Sequence, residues 1–148
     1  MSTVVIDASN LILGRMASHV AKRLLAGERI VIVNAEKAVI SGSKKSIVEE
    51  YKDHVLAKRR LKDPEKGPKK IRRPDLIVKL TIRGMLPYKK PRGLEAYKRL
   101  KVYIGVPREY EGSPMIKVEE ADASKLSLRK FMTVGELAAL FGWPPPKA

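Results

Sequence analysis

A chain of 148 residues, 44% hydrophobic and only 5% aromatic, is long enough for one aliphatic core and too short to expect two. It has no cysteine, which excludes a disulfide scaffold, a thiol nucleophile and a thiolate metal site, and no apolar run approaches the ~20 residues that span a bilayer. Against 16 acidic residues stand 31 basic ones, a net charge of +15 that favours a polyanionic partner.

In chain order, Met1 to Asp7 runs straight into a strand-like segment, Thr3-Val-Val-Ile6, without the basic and apolar regions of a secretory leader, so a soluble intracellular protein is expected. Asp7-Ala-Ser-Asn10 reads as a turn able to cap the helix that follows. Between Gly14 and Gly27, Met16, Ala17, Val20, Ala21, Leu24 and Leu25 share one helical face, with Arg15, Ser18, His19, Lys22 and Arg23 opposite. Gly27 is placed to end that helix. Arg29-Ile-Val-Ile-Val-Asn34 is a β-branched run of the kind buried in a parallel sheet, and Ala38-Val-Ile-Ser41 is a further short strand. A second helix, capped by Ser43, places Ile47, Val48, Tyr51 and Val55 on one side, and Lys44 and Lys45 at its start are positioned for one phosphate.

From Asp75 to Leu86 the signals conflict. Val78-Lys-Leu-Thr-Ile-Arg83 alternates like a strand, whereas Pro74, Asp75 and Gly84 suit the two ends of a helix with Ile77, Leu80, Thr81 and Gly84 on one face. The expectation is a helix. Lys101-Val-Tyr-Ile-Gly105 reads as a late strand, and Thr133-Val-Gly-Glu136 has capping-box spacing ahead of Leu137, Leu140 and Phe141. Trp143-Pro-Pro-Pro-Lys147 is a tail. Strand–helix–strand order argues for a single small α/β domain over residues 1–148 with a mainly parallel, four-stranded sheet, and residues 113–148 form a C-terminal extension ending in a helix.

The charge is not spread evenly. Residues 1–57 carry 8 basic and 6 acidic side chains, residues 58–101 carry 17 and 4, and residues 102–148 carry 6 and 6, so one block holds nearly the whole excess. Its first part, 58–74, contains Lys58, Arg59, Arg60, Lys62, Lys66, Lys69, Lys70, Arg72 and Arg73. Pro64, Gly67, Pro68 and Pro74 deny this stretch a regular helix or central strand, and it has almost nothing to bury. It reads either as a solvated basic loop or as an extension that orders on RNA. In the second part Arg83, Lys89, Lys90, Arg92, Lys98 and Arg99 are interleaved with Tyr88, Tyr97, Pro87 and Pro91. Such a ribbon can run along phosphates while a ring packs on a ribose or base; alternatively, both tyrosines are partly buried anchors.

Nothing in the chain argues for catalysis. Ser41-Gly-Ser-Lys-Lys-Ser46 follows a strand and precedes a helix but lacks the spacing of a phosphate loop. His19 and His54 lie on polar helix faces without a partner nearby in sequence, and Glu119-Glu120 sits in a loop-like stretch. No cofactor, metal site, membrane contact or small-molecule substrate is expected.

Asp7-Ala-x-x-Leu-Ile-Leu-Gly-Arg15-Met-Ala, Ile32-Val-Asn-Ala-Glu-Lys37, Ser41-Gly, Arg83-Gly-Met-Leu-Pro87 and Leu100-Lys-Val-Tyr-Ile-Gly105 closely resemble, in order, the large-subunit ribosomal protein family L-thirteen. Leu86-Pro-Tyr-Lys-Lys-Pro-Arg-Gly93 and the C-terminal extension look like its archaeal and eukaryotic branch. The resemblance implies a three-layer α/β/α fold, a helix after Pro74, and no enzymatic activity. It further implies a place in the large subunit bound to 23S-type ribosomal RNA beside neighbouring subunit proteins, with a role in early assembly. A nucleic-acid-binding protein outside the ribosome and a nucleotide-dependent enzyme are the alternatives.

Overall fold

The structure, a computed structural model, describes residues 3–42, 44–52, 73–118, 121–122 and 131–140. Strand β1 (Thr3–Asp7) leads through a turn into helix α1 (Leu13–Leu25), which returns the chain to β2 (Arg29–Val33). Parallel strands need such a crossover, because a tight turn can only reverse the chain. Strand β4 (Leu100–Val102) joins the far side of β2, giving a parallel sheet of order β1-β2-β4 with Val5 opposite Val31 and Ile32 opposite Val102. Helix α1 buries Met16, Ala17, Val20, Ala21 and Leu24, the face its periodicity predicts. Gly27 follows it at φ +99°, where a Cβ would cost about 1–2 kcal/mol.

One sheet face carries Ile6, Ile30, Ile32 and Leu100 beneath α1, α3 (Pro74–Gly84) and α4 (Pro91–Lys98), whose Val20, Leu24, Val78, Ile82 and Ala96 complete the main core. Each aliphatic side chain so buried contributes about 1.5–3 kcal/mol. The opposite face, Val5, Val31 and Val33, is covered by Tyr103, Val106, Tyr110 and Met115 from the segment after β4. Among the described residues that third layer is irregular chain with a single 3-10 turn (Arg108–Tyr110), where an α/β/α sandwich would carry a helix.

The α/β class and the mainly parallel sheet are as expected, but the four strands divide differently. Strand β3 (Val39–Ser41) leaves the sheet and pairs antiparallel with β5 (Phe131–Thr133), Ile40 opposite Met132. Asn34, at φ +56°, and the 3-10 turn Ala35–Lys37 steer the chain away, and the Val39 amide donates to the Leu11 carbonyl at 2.8 Å instead. The late strand is also shorter than its apolar pattern, because Gly105 at φ +68° turns the chain and its amide donates to Glu36 Oε2 at 3.0 Å.

The segment after Arg73 is a helix, with Pro74 in its first turn, Asp75 beside it and Arg83 in its last turn. Its buried face is Pro74, Val78 and Ile82, one residue offset from the expected Ile77, Leu80, Thr81 and Gly84. Thr133 caps α5 (Val134–Leu140) as predicted, its hydroxyl accepting from the Glu136 amide at 3.1 Å. Helix α2 (Lys44–Lys52) packs Ile47 against Met132 and Leu137. Ser43, His54, Val55, Glu119-Glu120 and the tail from Phe141 lie outside the described residues.

The expected capping of α1 by the Asp7–Asn10 turn is not what forms, since Ile12 occupies the N-cap with no side-chain bond. Asp7 Oδ1 instead accepts from the Ser9 amide at 3.0 Å and from Asn34 Nδ2 at 3.1 Å, tying the end of β1 to the end of β2. Burial raises the Asp7 pKa, but these hydrogen bonds, the Ser9 hydroxyl and the charge of Lys117 outweigh it and hold the carboxyl below its ordinary value. A depressed folded pKa means that ionised Asp7 stabilises the fold above its unfolded pKa of roughly 4, and that this contribution is lost as the pH falls through the folded value. Asp7→Asn is therefore expected to lower the Tm at neutral pH, with the gap to the parent narrowing on acidification below about pH 4. Calorimetry across that range measures it; a gap indifferent to pH would assign Asp7 a role of shape alone.

Candidate nucleic-acid interface

Helix α3 is held by Val78 and Ile82, both wholly buried, and Leu86 closes the same core from the turn beyond it. Residues 85–90 are successive turns fixed by their own backbone. The Leu86 amide donates to the Arg83 carbonyl at 3.0 Å, Tyr88 to Leu86 at 2.8 Å, and Lys90 to Pro87 at 2.9 Å. Pro91, with its φ preset, starts α4. The first turn of α4 abuts this turn so closely that a Cβ on Gly93 would collide with the Pro87 carbonyl oxygen. The ribbon anticipated over 83–99 is therefore two helices meeting at a rigid corner.

The corner sorts the tyrosines. Arg83 Cζ lies 4.9 Å from the centroid of the Tyr88 ring, and Lys79 Nζ lies 5.2 Å from that of Tyr97. Each contact joins a cation of α3 to a ring of the following segment, at about 0.5–1 kcal/mol for an exposed pair. Tyr97 is half-buried and packs on the main core, so it is an anchor, whereas Tyr88 is 39% exposed.

Lys89, Lys90, Arg92 and Lys98 are exposed and make no ion pair with any described residue. Arg73 is exposed and bonds Asp75 Oδ2 at 3.0 Å, a surface pair contributing about 0–1 kcal/mol. Arg99 is turned to structural work: its Nη2 donates to the Leu24 carbonyl in the last turn of α1, satisfying a helix end. Lys44 and Lys45 open α2, which rests on β5 and α5, so the structure does not gather them with the corner. Lys58, Arg59, Arg60, Lys62, Lys66, Lys69, Lys70 and Arg72 lie outside the described residues.

Sequence reasoning passed over Lys79, although its spacing four residues before Arg83 on a helix was the available signal. It also passed over exposed Met85 and Leu94, which apolar patterning alone assigns to a core. Chemically, the corner offers cationic donors and an aromatic face, with Glu95 of α4 the one carboxylate between residues 83 and 99. Among the described residues no group of His, Cys, Asp and Glu side chains suits a metal, and no helix is long and apolar enough to cross a membrane.

Gly93→Ala is expected to destabilise the fold by about 1–3 kcal/mol, because its Cβ meets backbone that cannot yield without moving α4. Gly84→Ala, whose Cβ meets nothing within 4 Å in a helix, should be neutral or stabilising. Parallel denaturant titrations compare the two; equal midpoints would mean that α4 is free to slide on the turn.

The family model described as ribosomal protein L13 matches residues 1–109. The large ribosomal subunit protein uL13 of Methanococcoides burtonii is 52% identical over 138 residues, covering 93% of this chain and 96% of its own. The proteins of the same name from Methanopyrus kandleri and Archaeoglobus fulgidus are 51% and 50% identical, covering 96% and 94% of this chain and 88% and 87% of their own. With half the residues shared along nearly the full length, and the matched region taking in both the parallel sheet and the α3–α4 corner, this chain belongs to the ribosomal protein L13 family.

Proposed function

We propose that this chain, a structural constituent of the large ribosomal subunit, binds 23S-type ribosomal RNA and supports early assembly of that subunit. Its family is one of ribosomal structural proteins, not enzymes. The observation that carries the RNA-binding reading is the α3–α4 corner, where Lys89, Lys90 and Arg92 are exposed without an acidic partner among the described residues. Those cations stand in a sequence block of 17 basic and 4 acidic side chains, so the charge there is strongly positive. Arginine takes a phosphate through two parallel hydrogen bonds, and lysine acts as a less directional point charge. A rigid body presenting such groups recognises the shape of folded RNA more than its sequence. The basic side chains of the segment 58–74 add to this charge in the sequence, and the protein acts as a clamp on a junction of RNA helices beside neighbouring subunit proteins.

Affinity for protein-free large-subunit RNA should fall steeply with salt, by ~0.7–0.9 in log K per log salt for each phosphate neutralised. Changing Lys89, Lys90 and Arg92 together to Gln should flatten that slope by about 2–3 units. Neutralising Arg59, Arg60, Lys69, Lys70, Arg72 and Arg73 should flatten it by several more. A slope untouched by the first variant removes the corner from the interface, and one untouched by the second removes the extension. Leaving the protein out of a subunit reconstitution should arrest an early particle; full yield without it would overturn the assembly role.

A further inference from the structure

Phosphate binding alone leaves one feature of the corner without a purpose. Of the six large apolar side chains exposed among the described residues, Met85, Tyr88 and Leu94 fall within ten consecutive residues, at 43%, 39% and 44% exposure. Lys89, Lys90 and Arg92 stand in the same stretch. Exposed apolar surface is unfavourable beside water, and a duplex backbone gives it nothing to contact. A ligand that suits both parts must itself be flat and apolar on one side and anionic on the other. We propose that the α3–α4 corner holds an unpaired RNA nucleotide, its base stacked on Tyr88 and its phosphates on Lys89, Lys90 and Arg92. The proposal rests on the reading of this corner as an RNA interface and adds what part of the RNA it takes.

Three observations favour it. First, the two rings of the segment differ: Tyr97 is half-buried on the main core with Lys79 across it, whereas Tyr88 remains open, with the Arg83 guanidinium 4.9 Å from its centroid. Arg83 lies over one face of the Tyr88 ring, and the part of the residue left exposed offers a base a surface to stack on. Second, Gly93 admits the first turn of α4 against the backbone of Pro87 and Tyr88, which brings the helix start beside that surface. Third, the apolar atoms are interspersed with lysine. The cores of protein–protein interfaces are depleted of lysine because its ammonium must be stripped of water, which argues against a protein as occupant. In paired RNA the base faces are already stacked on one another, so the ring requires a loop, bulge or junction nucleotide.

The test uses the full chain and protein-free large-subunit RNA, with Tyr88→Phe, Tyr88→Leu and the double change of Lys89 and Lys90 to Gln. Tyr88→Phe keeps the ring and should bind as the parent does. Tyr88→Leu should weaken binding roughly 5- to 150-fold, the loss of one stacked base, at an unchanged salt slope. Undiminished affinity overturns the proposal. A weaker Tyr88→Leu that also loses slope overturns it too, since the ring would then serve only to station Arg83 on a phosphate. The double lysine change separates this from the underlying reading: if it leaves the slope intact, the corner is not on RNA and both fail. Tyr88→Leu that binds naked RNA normally but is lost from assembled subunits would assign the surface to a protein neighbour. Should that variant fold poorly, ultraviolet crosslinking of the parent complex gives an independent answer. An adduct on the tryptic peptide 84–89 to an unpaired nucleotide supports the stacked base; no adduct there, or one to a paired base, overturns it.

Discussion

Val78 and Ile82, four residues apart and both wholly buried, pin α3 against α1 and β4, and the corner takes its position from that contact. The magnitudes establish the hierarchy. Burying two aliphatic side chains contributes about 3–6 kcal/mol in all, while each cation–ring contact on the surface adds about 0.5–1. The core therefore places the helix, and the rings only orient what it carries. Arg83 points where it does because α3 is fixed beneath it and Tyr88 lies beside it. Side chains held this way lose less conformational freedom on meeting a partner than those on a slack loop, which favours binding without any added contact.

The carboxyl ends of the parallel strands are occupied from within. In open parallel α/β sheets, small ligands settle outside the carboxyl ends of the strands. Here that rim is closed by the chain's own polar groups. Asn34 donates from its side chain to Asp7 at 3.1 Å and from its backbone to the Gly105 carbonyl at 2.9 Å, and the Gly105 amide donates to Glu36 at 3.0 Å. The seam joins the ends of all three parallel strands. A scaffold often associated with catalysis keeps this rim for its own internal hydrogen bonds, and the corner proposed for RNA lies among the helices instead.

Basic residues are not equal for being basic. Arg99 belongs to the same charged block as Arg92, yet it is half-buried and satisfies the end of α1, while Arg92 stands exposed at the start of α4. Arg73 is exposed but shares its charge with Asp75. The surface open to a polyanion is thus narrower than the charge count, and Tyr97 and Tyr88 divide in the same way between packing and exposure.

Much of this was legible beforehand. The faces of α1, the buried run of β2, the cap of α5 by Thr133, the ends of α3 and the location of the charge all follow from residues within a few positions of one another, the range over which periodicity and capping act. The tertiary structure alone decided the rest. It sent β3 out of the sheet, folded 91–98 into a helix, made Gly93 necessary, exposed Tyr88 while half-burying Tyr97, and turned Asp7 and Arg99 to structural bonds. Asp7 meets a partner 27 residues away and Arg99 one 75 residues away. No local pattern records such a meeting: which polar group is satisfied, and which ring is left open, depends on what distant segments the collapse of the core brings alongside it.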